Sequence, residues 1–270
     1  DGLTGERSGA HVDLVDSLSP KDAYDLALVA LSKAGRLAVS PTLARNDQVE
    51  HIVFLGNDVA GAQSYIDHLS GDRLLLGFPG AGGGWVGDDL VFLDREKPGH
   101  KRGPIHLGEI DGCVRERTRR LAALLRASGL LVNVEDDIDG WLKYHFAFMA
   151  PTAGVIFQCG GEPSAVADDL DAIHRYCRAC QEAGNVLRAV GHRKRQPFVF
   201  NLYYWTPRWL EGPIFRRLFR SRMAEIGFGL HARVVGPELH QLAAEFTELK
   251  VRAGMETPDL DALLASVPNA

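Results

Sequence analysis

The distribution of apolar residues changes near the middle of the chain, and this change constrains the fold more than any other feature. Before residue 135, short apolar runs alternate with helical segments, as is typical of a parallel α/β sheet. From residue 136 onward the periodicity is almost wholly helical. The sequence therefore predicts an α/β domain at residues 1–134 and an all-α domain at residues 135–270.

The apolar runs predict the strands and their environment. Tyr24–Leu31 is nearly continuous, which is typical of a strand covered on both faces. No helical pattern separates Leu90–Leu93 from Ile105–Ile110, so we expect these two to join the sheet as antiparallel strands. The remaining predicted strands are His11–Val15, His51–Leu55, Arg73–Phe78 and Leu130–Val134.

Helix signals recur through the second half and at three places in the first. Ser164 is a candidate N-cap for a helix that continues to Val190. Pro207, Pro237 and Pro258 each suit the first turn of a helix. The predicted helices are residues 37–45, 60–69, 114–128, 136–157, 164–190, 207–221, 237–253 and 258–265.

Composition excludes several classes of protein. The net charge of −5 argues against a nucleic-acid-binding protein, which needs a basic surface. No apolar run approaches the roughly twenty residues of a membrane span. The four cysteines are too few for a disulfide scaffold, and free thiols suit a reducing cytoplasm. The spacing of His231, His240 and Glu245 matches no standard metal site, so no metal is expected.

A glycine run at Gly80–Gly84 follows an apolar strand and invites comparison with a dinucleotide-binding loop. That loop needs Gly-x-Gly-x-x-Gly leading into a helix, whose N–H groups meet the pyrophosphate. Here Trp85 occupies the third glycine position, and a strand follows. The run is better interpreted as a flexible loop beside a ligand or as a turn crowded by neighbouring backbone.

Lys143 is the strongest candidate for chemistry. Apolar residues surround it in the segment Asp139–Phe148, and a lysine in such surroundings is costly to keep charged, which suits proton transfer. The equally weighted alternative is a lysine whose stem packs while its ammonium group reaches water. His145 could titrate near neutrality, although a lone helical histidine is more often an ordinary surface residue.

Two further polar residues occupy positions that suit ligand binding. Asn57 ends an apolar strand, where open α/β sheets bind ligands, although Asn also serves turns. Glu238 follows Pro237 in an expected first helical turn, where a carboxylate also complements the helix dipole.

These residues lie in segments that resemble the ketopantoate reductase family, in order and through nearly all 270 residues. The similar segments are Tyr24–Ser32, HIVFLGNDVAG at 51–61, IHLGEI at 105–110, VEDDIDGWLKYHFAF at 134–148 and PELHQLAAEFTELKVRAGMETP at 237–258. The Trp-x-Lys helix and the Glu helix are the most specific of these.

The resemblance implies a partial Rossmann-like NAD(P)-binding domain followed by a helical domain of the 6-phosphogluconate dehydrogenase type. It implies NADPH-dependent reduction of a small 2-keto acid. Lys143 and Glu238 would be the catalytic residues, with Lys143 as the general acid. Glu238 would also bind the substrate, and His145 would contact it. Asn57 and Ser32 would contact the cofactor. A homodimer through the helical half is a further expectation, because that half is rich in Phe, Trp and Leu.

The chain also departs from the family pattern. The first strand and its Gly-rich loop are not found in the sequence, and because Asp1 is not Met we expect an upstream segment. Two asparagines expected after the lysine are Ala147 and Pro151, which places ketopantoate itself in doubt. The alternatives are a non-catalytic binding or regulatory protein on the same scaffold, or an opine- or 6-phosphogluconate-type dehydrogenase.

Overall fold

The structure is a computed structural model of the 270-residue chain, and it describes residues 2, 5, 7, 9, 11–93, 103–194 and 198–268. The described residues fall into two compact units. The sheet unit comprises those of Glu6–Gly80 and Arg102–Leu142. The helical unit comprises those of Asp1–Gly5, Ala81–Lys101 and Lys143–Ala270. The predicted domain boundary at residues 134 and 135 remains a prediction, and the division into units lies eight residues later.

Strands and helices alternate in the first half of the chain and helices predominate in the second, as the apolar periodicity predicts. The strands are β1 Tyr24–Val29, β2 Val49–Leu55, β3 Leu74–Phe78, β4 Gly83–Val86, β5 Asp89–Phe92, β6 Ile105–Glu109 and β7 Val132–Val134. The helices are α1 Lys33–Arg45, α2 Gln63–Ile66, α3 Glu116–Ala127, α4 Ile138–Gln158, α5 Pro163–Asp168, α6 Leu170–Ala189, α7 Leu202–Trp205, α8 Arg208–Phe219, α9 Arg222–Ala224, α10 His231–Ala253 and α11 Pro258–Leu264.

The main sheet has the order β1-β2-β3-β6-β7. β1, β2 and β3 are parallel, β6 is antiparallel to β3, and β7 is parallel to β6. The prediction of an α/β sheet with an antiparallel addition, followed by a helical part, is therefore confirmed. The prediction that Leu90–Leu93 also joins this sheet is wrong, because β5 pairs with β4 in a separate two-stranded ribbon.

Two expectations about the first strands are also wrong. β1 lies at the end of the strand order, and Tyr24 and Leu28 are 49% and 45% exposed. An apolar run alone does not distinguish a central strand from an edge strand. Residues 11–15 are not in a strand, and Leu14 is 92% exposed, so burial does not stabilise an extended segment there.

The sheet unit packs a core on each face of its central strands. Ile52 and Phe54 of β2 lie in one cluster with Trp141 of α4. Val53 lies in the other cluster with Leu121 of α3. Alternate residues of one strand point to opposite faces, which explains the division. Burial of each such side chain contributes about 1.5–3 kcal/mol.

The helices of the helical unit require two corrections to the predicted helix starts. Residues 164–190 form two helices, and the N-cap of the second is Asp169, whose side chain accepts a hydrogen bond from the Ala172 N–H at 2.9 Å. Pro237 lies inside α10 rather than in its first turn. A π-helical segment, Glu225–Leu230, leads into α10. None of the helices in the described part of the chain is long and apolar enough to cross a membrane.

Candidate active site

Ser32 and Asn57 follow the carboxyl ends of β1 and β2, so both lie at the same edge of the sheet. Ser32 is the N-cap of α1, and its hydroxyl accepts a hydrogen bond from the Gly35 N–H at 3.3 Å. Asn57 is buried and directly follows Gly56, whose φ of 154° is a conformation that favours glycine. Ligands of open α/β sheets bind at this edge. The location suits the cofactor roles predicted for both residues.

A buried ionic network lies beneath these turns. Lys33 donates a hydrogen bond from Nζ to Asp58 Oδ1 at 3.1 Å, and Tyr65 donates from its hydroxyl to Asp58 Oδ2 at 2.7 Å. Burial raises the pKa of the Tyr65 hydroxyl far above its ordinary value, and the nearby Asp58 carboxylate raises it further. The phenol therefore stays protonated and remains a donor to Asp58.

Arg36 connects this network to the main chain. Its Nη1 donates to the carbonyl oxygens of Leu31 at 2.7 Å and Leu55 at 3.4 Å, and its Nη2 donates to that of Asn57. Its Nε donates to the Tyr65 hydroxyl at 3.2 Å. Sequence reasoning missed Lys33, Arg36, Asp58 and Tyr65 as a group. The one sequence signal was the pair of basic residues at the start of α1, close to an apolar strand.

A second polar group lies at the same edge. His106 is paired with Phe78, the last residue of β3, so it lies at the carboxyl end of the parallel strands. Its Nδ1 is 2.7 Å from Glu135 Oε1, and its ring stacks on Trp141 with centroids 4.0 Å apart. A carboxylate that holds one ring nitrogen fixes the orientation of the imidazole. This pair was also missed, because 29 residues separate its members.

Lys143 lies in the first half of α4 and is only 5% exposed. Its neighbours Leu142, Tyr144 and Phe146 are buried, and the Tyr144 hydroxyl donates to the His192 carbonyl at 2.7 Å. Lys143 and the residues next to it in the sequence are therefore buried together. His145 is half-buried, with its ring 6.3 Å from that of Phe148.

Glu238 is half-buried in α10, which packs against α4 where the rings of Phe146 and Phe246 lie 5.1 Å apart. The helices that carry Lys143 and Glu238 are therefore neighbours. Glu238 follows Pro237 within the helix, so the alternative role in complementing the dipole of a first turn is wrong.

The positions that carry asparagine in the resemblance are apolar and buried here. Ala147 is fully buried and Pro151 is buried, both on α4 after Lys143. Neither side chain donates a hydrogen bond. The helix therefore supplies the lysine but not the two asparagine side-chain amides.

The glycine run at Gly80–Gly84 is explained by close backbone packing. A Cβ on Gly80 would lie 2.2 Å from the Pro104 carbonyl oxygen, and one on Gly83 would lie 2.2 Å from that of Val91. The run enters β4 and not a helix. The expectation of a turn crowded by neighbouring backbone is therefore confirmed. Among the described residues, no group of acidic, histidine and cysteine side chains could hold a metal ion.

No protein-family model and no curated protein matches the sequence. Solved structures do match. D-mandelate dehydrogenase with NADH and anilino(oxo)acetate is 12% identical, with a TM-score of 0.69 over 93% of this chain and 76% of that one. A dimeric ketopantoate reductase from Staphylococcus aureus is 14% identical, with a TM-score of 0.63 over 91% and 77%. The 2-dehydropantoate 2-reductase from Geobacter metallireducens GS-15 is 18% identical, with a TM-score of 0.59 over 91% and 77%. The chain therefore has the fold shared by ketopantoate reductases and D-mandelate dehydrogenase.

Proposed function

We propose that this chain is the reductase of a small 2-keto acid, with NADPH as the hydride donor and Lys143 as the general acid. The observation that carries the proposal is Lys143 itself, a lysine that is 5% exposed on a helix of buried apolar residues. Buried lysines recur at active sites, where they take part in proton transfer. The shared fold with dehydrogenases of 2-hydroxy acids supports the same reaction class.

The residues present fit part of a nicotinamide cofactor. Asn57, buried at the carboxyl end of β2 behind Gly56, would contact it, and Ser32 would do so from the end of β1. Gly80–Gly84 does not fit the pyrophosphate, because it leads into β4 rather than the N-terminus of a helix. The cofactor, when bound, would supply hydride to the carbonyl carbon.

The remaining chemistry is assigned to the helical unit. Lys143 would donate a proton to the carbonyl oxygen as the carbon receives hydride, so that a hydroxyl group forms. Glu238 would accept a hydrogen bond from the hydroxyl end of the substrate, and His145 would contact its carboxylate. The side chains of Ala147 and Pro151 have no amide group to donate a hydrogen bond, so the substrate would be recognised differently from ketopantoate.

Measurements of cofactor binding and of catalytic turnover test this proposal. NADPH fluorescence titration should give saturable binding below about 1 mM, the upper range of ordinary Michaelis constants. Oxidation of NADPH should then be followed with ketopantoate and with phenylglyoxylate. Lys143→Ala should lower kcat by at least about a hundredfold, the usual contribution of a general acid. It should leave NADPH affinity unchanged.

Lys250→Ala is the matched control, because Lys250 pairs with Asp261 on the surface of the helical unit. This variant should keep full activity. Saturable NADPH binding without oxidation by any 2-keto acid would favour the non-catalytic alternative. A failure to bind either NADPH or NADH would remove the oxidoreductase proposal altogether.

A further inference from the structure

Arg36 holds the turns after two neighbouring strands in one arrangement. Its guanidinium group donates to the carbonyl oxygen of Leu31, which follows β1, and to those of Leu55 and Asn57, which lie at the end of β2. Arg36 is 1% exposed. A guanidinium group has five N–H donors in a rigid plane, so one side chain can fix several acceptors at once.

The turn at Gly56 and the guanidinium group are fitted to each other. A Cβ at residue 56 would lie 1.9 Å from Arg36 Nη1, and φ there is 154°. Any side chain at this position would displace the guanidinium group and strain the backbone. The space beneath the turn is therefore occupied by the Arg36 guanidinium group.

Asp58 and Tyr65 hold the other side of this arrangement. Asp58 accepts hydrogen bonds from Lys33, from the Tyr65 hydroxyl and from the Gly61 N–H, the last at 2.7 Å. Tyr65 in turn accepts from Arg36 Nε. The main chain from residue 55 to residue 61 is thus tied at both ends to one network.

Such a network is not explained by stability alone. Lys33, Arg36 and Asp58 are each at most 3% exposed, and two of the three charges are positive. Replacing buried ion pairs with apolar residues is often neutral or stabilising, so these charges are better explained by the geometry that they define. The geometry fixed here is the main chain around Asn57.

We propose that Arg36 is a positioning residue that presets the turn carrying Asn57 and thereby sets the affinity for the nicotinamide cofactor. The inference rests on the proposed function, in which Asn57 contacts that cofactor. Arg36 acts through the carbonyl oxygens of Leu55 and Asn57 and does not itself touch the cofactor. Tyr65 and Asp58 act in turn through Arg36 and Gly61.

The test uses Arg36→Lys and Tyr65→Phe. Lysine keeps the positive charge but has a single ammonium group, which cannot span the three carbonyls. Phenylalanine keeps the ring that packs edge-on against Phe54 with centroids 4.9 Å apart, and removes only the hydroxyl. We expect the Kd for NADPH to rise about tenfold in each variant, while kcat at saturation changes by less than about twofold, as for loss of uniform binding.

Hydrogen exchange gives a readout independent of the cofactor. The amide N–H groups of residues 57–61 should exchange faster in both variants, with Gly61 the most affected. Ser40→Ala is the control, because the Ser40 hydroxyl is also fully buried but only donates to the Arg36 carbonyl within α1. Its Kd and its exchange at residues 57–61 should match those of the wild type.

The outcomes separate this inference from the proposed function. Wild-type exchange at residues 57–61 in both variants, or a wild-type Kd for NADPH, overturns the positioning role even when the enzyme is active. Faster exchange and weaker binding, with kcat retained, support it. A wild-type protein that binds neither NADPH nor NADH overturns the proposed function, and with it the cofactor part of this inference. Faster exchange would then still show that Arg36 holds the turn.

Discussion

The two units bury polar groups in different ways. In the sheet unit the buried network is ionic, and Arg36 donates to main-chain carbonyls that follow the strands. In the helical unit one buried network is neutral: the hydroxyl oxygens of Tyr176 and Tyr203 lie 2.5 Å apart, and that of Thr152 is 3.3 Å from Tyr176. This unit also buries Lys143 and the pair formed by His174 and Glu211. Helices satisfy their own backbone, whereas the turns at strand ends need donors from elsewhere. The ionic network of the sheet unit therefore holds main-chain turns, whereas the neutral network of the helical unit lies among packed aromatic rings.

The largest expected effect comes from breaking the ionic network. Asp58→Ala leaves Lys33 buried without its carboxylate and removes the acceptor for Tyr65 and Gly61. Loss of one partner of a buried ion pair costs about 3–5 kcal/mol, so the free energy of unfolding should fall by that amount in urea titrations. Asp67→Ala, on the exposed side of the same segment, should change it by less than about 0.5 kcal/mol. Equal effects of the two variants would contradict the comparison.

The next largest expected effect is a loss of stability at alkaline pH, caused mainly by two buried thiols of the helical unit. Burial raises the pKa of the Cys177 and Cys180 thiols. These groups stay protonated in the native state, while the unfolded chain loses its thiol protons above about pH 8.5. The contribution of the two buried thiols to the free energy of unfolding is therefore fully present below about pH 8.5. It declines as the pH rises from there through the native-state pKa values.

We expect these two thiols to lower the free energy of unfolding by about 2–3 kcal/mol between pH 8.5 and pH 10. Urea titrations under reducing conditions measure this slope, and Cys177→Ala/Cys180→Ala should flatten it. Cys113→Ala, which removes an exposed thiol, should leave the slope unchanged. The assignment fails if the double variant keeps the wild-type slope.

The smallest expected effect comes from the hydroxyl network. Tyr176→Phe removes one hydroxyl from the contact with Tyr203 and Thr152 but keeps the ring, which packs edge-on against Phe215 and Phe219. We expect a loss of about 1–2 kcal/mol, because a buried polar group loses its partner. Thermal denaturation should place this variant well above Asp58→Ala in stability. The reverse order would show that the neutral network is the more important of the two.

Part of the fold could be predicted because local patterns are sufficient for it. The apolar runs around Ile52 and Leu75 predict β2 and β3, since both strands are central and buried. The exposure of β1 and the pairing of β4 with β5 could not be predicted, because each depends on which strand lies alongside. Pro237 also misled the assignment of a helix start, because the chain enters α10 from a π-helical segment that has no simple sequence pattern.

The residues of the candidate site also divide into those that the sequence could reveal and those that it could not. Lys143 was recognisable because its apolar neighbours are adjacent in sequence, and Asn57 because it directly follows an apolar strand. Arg36 was not, since 29 residues separate it from Tyr65 and 21 from Asn57. In the sequence it resembles any basic residue on an exposed helix face. The His106–Glu135 pair escaped notice for the same reason.

The sequence by itself determined the order and type of most elements, the change from α/β to all-α, and the residues of the Trp-x-Lys helix. These follow from side-chain periodicity and turn chemistry, which act over a few residues. Only the tertiary structure decided that β1 lies partly exposed at the end of the strand order and that Arg36 is buried beneath Gly56. Strand order and the burial of charge depend on contacts between segments far apart in the chain, so no local pattern specifies them.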